Sequence, residues 1–156
     1  IQEKRELSSG QEISLSGEFQ ADTPKPWILE AEQIRDALKN DEILLLDVRT
    51  GSRFRGEKEP IDPVAGHIPG AKNEPFQVTL EKNGLWKNAE TLRREYLERF
   101  PDLDQKKCVP YCGSGVTACH TFFALRHAGF DHLSIYPGSW SEWISNASRP
   151  IAVGEE

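Results

Sequence analysis

CVPYCGSGVTACHTFFALRHAGF, residues 108–130, is the stretch on which the architecture turns. Its first four residues are a short apolar run of strand length. Cys112-Gly-Ser-Gly then breaks the run, and apolar residues recur at helical spacing until Gly129 supplies a helix C-terminus. A strand, a tight loop and a helix in that order are half of a parallel crossover unit. The same alternation continues on either side. Downstream, LSIY (133–136) reads as a strand and SWSEWISN (139–146) as a helix. Upstream, ETLRREYLERF (90–100) carries Leu92, Tyr96, Leu97 and Phe100 at helical spacing, and EILLLDV (42–48) is a buried strand. AEQIRDALKN (31–40), with Ala31, Ile34, Ala37 and Leu38 on one face, is a helix preceded by the short apolar segment WIL (27–29). Between Gly51 and Pro75 the chain is punctuated by proline, which predicts a loop with at most one short helix.

Strands alternating with helices predict an α/β fold: a single parallel sheet flanked by helices on both faces. Pro110 fits such a sheet only if its nitrogen points away from a neighbour or the strand has already ended. Residues 1–26, polar and rich in Ser, Gly and Glu with Pro24 and Pro26, read as a linker or extended arm, so the domain is expected over 27–156.

Charge narrows the function classes. The chain of 156 residues has a formal net charge of −6 and a pI near 5.3, which disfavours nucleic acid and anionic membrane as partners. Three cysteines are an odd count without framework spacing, which points to a reducing, cytoplasmic setting rather than a disulfide scaffold. No run approaches the roughly 18 apolar residues of a spanning helix, and the first residues lack the layout of a signal peptide. The absence of methionine and the start at Ile1 suggest an excised or processed piece of a longer protein.

In an open parallel sheet, ligands bind beyond the carboxyl ends of the strands, which is where Cys112 falls. The helix that follows leaves its first N–H groups without partners, while Gly113 and Gly115 let the backbone curl so that these groups converge on one point. A thiolate at that focus is favoured over a thiol, making Cys112 a candidate nucleophile. The same cradle, Gly113 to Thr117 with Ser114, Gly115 and Val116 between them, suits a persulfide anion. Ser114 and Thr117 add hydroxyls, although that of Thr117 can instead bond back into its own helix. Cys108 and Cys119 are expected in the core, and His67, His127 and His132 in loops or on the surface. A phosphatase loop would need an arginine six positions after the cysteine to grip phosphate, and Ala118 stands there. Cys108, Cys112, Cys119 and His120 match no usual zinc spacing, so neither metal nor cofactor is expected.

These stretches, LLDVRTGSRFRGE, GHIPGA (66–71), CGSGVTACH and YPGSWSEW (136–143), occur in an order that resembles the rhodanese-like sulfurtransferases over about residues 27–146. The loop CGSGVTAC resembles that of the 3-mercaptopyruvate branch. The resemblance implies a two-step reaction in which Cys112 takes a sulfane sulfur from a donor and passes the persulfide sulfur to cyanide, a thiol or thioredoxin. Gly113 and Ser114 favour 3-mercaptopyruvate as donor, with thiosulfate as the alternative. Arg53 resembles the residue that holds the donor carboxylate, a task suited to a planar fork. Mercaptopyruvate enzymes usually carry a second arginine after a Glu-Pro pair; here Glu59-Pro60 is followed by Ile61 and Asp62. Arg55, two residues on from Arg53, is a second basic residue available to the donor. Asp47 and Arg49 are read as a structural ion pair, and Trp140 and Trp143 as packing. Tandem members of this branch place the catalytic domain second, implying an N-terminal rhodanese-like domain as partner. A non-catalytic rhodanese-type interaction module is the rival reading.

Overall fold

In the computed structural model, residues 9–10, 17–18 and 27–155 are described, so the expected arm over 1–26 falls almost wholly outside them. Three parallel strands form the centre: β1 (Ile43–Asp47), β2 (Lys72–Asn73) and β3 (Lys107–Tyr111), in the order β2-β1-β3. Leu45 lies opposite Val109 and Asp47 opposite Tyr111. Helices α1 (Ala31–Lys39), α2 (Gly51–Phe54), α3 (Ala89–Arg99), α4 (Val116–His127) and α5 (Ser139–Trp143) surround the sheet.

The two-residue alternation of strand side chains divides the core into two layers. Leu46 and Cys108 pack with Leu92, Tyr96, Phe122 and Leu125 of α3 and α4. Leu45, Val109 and Tyr111 pack with Ile34, Trp140 and Trp143 of α1 and α5. Both faces of β1 and β3 are covered, which is why these strands read as continuous apolar runs. The helix ends also follow from local chemistry. Asn88 caps α3 by accepting from the Thr91 N–H at 2.9 Å. Gly129, at φ +81°, closes α4 with its N–H on the Arg126 carbonyl, while the Phe130 N–H reaches Leu125.

Two expected strands are reduced to single bridges. WIL and LSIY pair in parallel only at Ile28 with Ile135, and LSIY meets β3 at Leu133 with Cys108. Pro110 contributes to this. The strand has not ended at Pro110, and its nitrogen faces a neighbour, contrary to the expectation. The Cys108 N–H donates to His132 O, and the carbonyls of Cys108 and Pro110 accept from Ser134 and Tyr136. By that repeat, an N–H at 110 would meet the Ser134 carbonyl. The missing donor thins the outer ladder and leaves the β1–β3 ladder intact.

Between Gly51 and Pro75 the short helix is α2, but the two-residue strand β2 was not foreseen. It pairs with Leu46 and Asp47, and two residues are too few to show an alternation. Among the described residues, no helix is long and apolar enough to cross a membrane.

Candidate active site

The carboxyl ends of β1 and β3 lie side by side and open into a cleft of about 200 Å³ lined by Arg53, Asp62, Cys112, Ser114, Thr117 and Ser141, among others. Larger hollows, about 320 to 430 Å³, lie near Ile43 at the opposite end of β1, and no cysteine lines them. The cleft is thus set by its chemistry rather than its size.

Cys112 is 3% exposed. Gly115 stands at φ +85° immediately before α4, and a Cβ there would lie 2.6 Å from the Pro137 carbonyl oxygen, so only glycine fits the turn. The turn brings the start of α4 over the sulfur. Burial alone pushes the Cys112 thiol pKa up. The Thr117 hydroxyl and the N–H groups of Ala118, Ser114 and Thr117 outweigh it, and the pKa falls below its ordinary value. The N–H of Ala118 extends the cradle one residue beyond the expected 113–117. Val116 contributes an exposed side chain to the cleft wall.

A second element shapes the loop from behind. The Ser139 hydroxyl accepts from the Cys112 N–H at 3.0 Å and donates to the Tyr136 carbonyl at 3.0 Å. The N–H groups of Trp140 and Ser141 donate to the carbonyls of Cys112 and Gly113 at 2.9 and 3.0 Å. Ser139 is fully buried and holds φ +55°, a left-handed conformation uncommon outside glycine. The sequence reading missed Ser139 and Ser141, since YPGSWSEW suggested only aromatic packing. The two tryptophans do pack: Trp140 and Trp143 are buried and donate their indole N–H to the carbonyls of Val64 and Pro150.

Beside the loop runs a chain of charges. Arg49 and Asp47 form the expected buried pair, with Nη2 and Oδ2 2.6 Å apart, and Arg49 also reaches the Gly66 carbonyl and Glu59. Glu59 in turn holds Arg53 through Nε at 3.0 Å and Nη2 at 2.6 Å. Burial raises the Glu59 pKa, but Arg53 and the N–H groups of Asp62 and Ile61 lower it further, so the carboxyl is kept ionised. Arg53 is therefore neither a free surface charge nor an open fork. Its Nη2 also stands 3.3 Å from Asp62, and its Nη1 lies 3.6 Å from the point where a side chain at Gly113 would begin.

Three other expectations are corrected. Cys119 is exposed, because Ala118, Phe122 and Leu125 take the inward face of α4 and leave positions 119 and 123 outward. His67 is fully buried, stacked on Phe54 at 3.6 Å with its Nδ1 2.8 Å from the Phe54 carbonyl. Arg55 caps α2 and pairs at the surface with Glu57 and Glu155 rather than lining the cleft beside Arg53. Cys108 is buried as expected, and burial pushes its thiol pKa far up. Among the described residues, no group of three or more His, Cys, Asp or Glu gathers as a metal site.

An open parallel α/β domain with a cysteine in an amide cradle at the strand ends defines a class of proteins whose backbone N–H groups favour a thiolate. The rhodanese-like domain family matches residues 30–146, and the chain belongs to that family. It is 42% identical over 149 residues to a probable 3-mercaptopyruvate sulfurtransferase of Pseudomonas aeruginosa, covering 96% of this chain and 52% of that protein. It is 34% identical over 137 residues to a thiosulfate sulfurtransferase of Gallus gallus, covering 88% of this chain and 47% of that one. Among solved structures it is similar to the Tum1 protein of Saccharomyces cerevisiae, with TM-score 0.71, 28% identity, and coverage of 83% of this chain and 47% of that one. The chain spans about half the length of these relatives.

Proposed function

We propose that the protein is a sulfurtransferase that carries sulfane sulfur on Cys112. The observation that bears most weight is the cleft-lining thiol whose pKa is lowered, despite burial, by one hydroxyl and three N–H groups. The Cys112 thiolate attacks the sulfur of 3-mercaptopyruvate, an S–S bond forms, and the C–S bond breaks. The leaving carbanion takes up the proton given up by the donor's S–H group and becomes pyruvate. The terminal sulfur stays in the cradle as a persulfide anion, which the same N–H groups stabilise. A nucleophilic acceptor, cyanide, a thiol or a reduced thioredoxin, then attacks the terminal sulfur, and the S–S bond breaks to return the thiolate.

The Gly-Ser-Gly loop and the mercaptopyruvate relatives support this donor, and the thiosulfate relatives keep thiosulfate as the second. Arg53 is assigned to the donor carboxylate through its Nη1 edge, since Glu59 holds Nε and Nη2. The partial coverage of the relatives supports an N-terminal rhodanese-like domain in the same protein, and the free thiols suit a reducing cytoplasm.

Intact mass of the full-length protein after exposure to each donor tests the reading. The expected result is a gain of one sulfur atom that dithiothreitol removes and that Cys112→Ala does not acquire. No gain with either donor would leave the non-catalytic interaction module as the better reading.

A further inference from the structure

From the charge chain at the cleft mouth we infer that Asp62 sets donor selectivity, by placing a fixed negative charge beside Cys112 that penalises a dianionic sulfur donor more than a monoanionic one. The inference rests on the proposed sulfur-transfer reaction and deepens it.

Anion-binding clefts ordinarily present net positive charge. This one does not. The linked side chains Arg49, Arg53, Asp47, Glu59 and Asp62 comprise two guanidinium groups and three carboxylates, a balance of one negative charge. Four of them are internally matched as Asp47 with Arg49 and Glu59 with Arg53, at 2.6 Å each. Asp62 is the carboxylate left over. It lies on the cleft wall, and besides the nucleophilic Cys112 the charged groups among the lining residues are Arg53 and Asp62.

Asp62 is also held in place. Its Oδ1 is 2.7 Å from the Ser141 hydroxyl, whose single proton is shared between that carboxylate and the Gly113 carbonyl at 2.8 Å, so Asp62 is held close to the residue next to Cys112. Its Oδ2 lies 3.3 Å from Arg53 Nη2 and 3.9 Å from the start of any side chain at 113. With a side-chain exposure of 7%, it cannot swing into solvent without breaking these contacts. An anionic donor approaching the sulfur therefore meets a positioned carboxylate that already occupies one edge of Arg53. The repulsion scales with donor charge, so thiosulfate, with two negative charges, suffers about twice the penalty of 3-mercaptopyruvate, with one.

The test uses the full-length protein and reads kcat/KM for persulfide formation with each donor. Asp62→Asn keeps the shape and the Ser141 contact but removes the charge. It is expected to raise the ratio of thiosulfate to mercaptopyruvate efficiency by about fivefold, an order-of-magnitude figure for one charge at a partly solvated mouth. In the unaltered protein, raising ionic strength from about 0.02 to 0.5 M, which shortens the screening length from roughly 20 to 4 Å, should shift the ratio the same way. That second measurement needs no variant to fold. An unchanged ratio in Asp62→Asn, or equal losses with both donors, would overturn the inference and leave Asp62 a prop for the loop. Failure of the unaltered protein to take sulfur from either donor would instead overturn the reaction itself.

Discussion

Cys108 and Cys112 lie four residues apart, both are buried, and their thiols are shifted in opposite directions. Cys108 sits inside β3, where the neighbouring N–H groups are spent in the ladders; its own N–H goes to His132. Nothing compensates for desolvation there, and the thiol pKa rises. Cys112 lies just past the strand end, where the ladder stops and the first turn of α4 has N–H groups to spare. Burial is thus common to both. What separates an inert cysteine from a nucleophilic one is whether backbone donors are already committed.

The largest disturbance of this contrast is expected from Gly115→Ala. A Cβ at φ +85° and 2.6 Å from the Pro137 oxygen forces the loop open, at a cost of about 2 to 4 kcal/mol in stability. With the cradle displaced, Cys112 should lose its shift, and its alkylation at pH 7 should slow by about tenfold. Denaturant unfolding and iodoacetamide kinetics measure the two effects. Alkylation as fast as in the unaltered protein would show that the turn at 115 does not form the cradle.

A smaller, more local change is Thr117→Val, which removes the hydroxyl and leaves the N–H groups. The midpoint of the alkylation profile should move up towards that of an ordinary thiol, with the rate at pH 7 falling by about three- to tenfold. The sign of the accompanying stability effect follows from linkage. The Cys112 pKa is depressed in the fold, so its thiolate contributes stability that is present above the unfolded pKa and lost as pH falls through the folded one. Thr117→Val should flatten that dependence.

The smallest effect on chemistry is expected from Cys108→Ala. It should cost about 1 to 2 kcal/mol in packing and leave the alkylation profile of Cys112 unmoved. A shifted profile would mean that the strand interior and the loop are coupled, and that their opposite titration has a shared cause.

How far the sequence carried differs by element. The runs ILLLD and CVPY were legible as parallel strands because both faces are buried, and the α4 helix because Gly115 and Gly129 bracket it. WIL and LSIY were overestimated: their apolar residues signal burial, but the pairing depends on a neighbour that Pro110 depletes of a donor. Cys119 was misplaced by a single residue, which on a helix turns a side chain through about 100°. At the site, Cys112 and its glycines were visible because the strand-loop-helix junction is contiguous in the chain. Ser139, Ser141, Glu59 and Asp62 were not, since their part depends on contacts between segments distant in sequence.

The sequence by itself determined the α/β order of elements, the cysteine at a strand end and the glycines that let amides converge on it, because each rests on local periodicity or local backbone freedom. Only the tertiary structure decided that Ser139 holds the Cys112 amide, that Glu59 occupies the fork of Arg53, and that Asp62 leaves the cleft mouth with surplus negative charge. Hydrogen bonds and electrostatic balance depend on distances of a few ångström between segments far apart in the chain, and no pattern along a single chain encodes those distances.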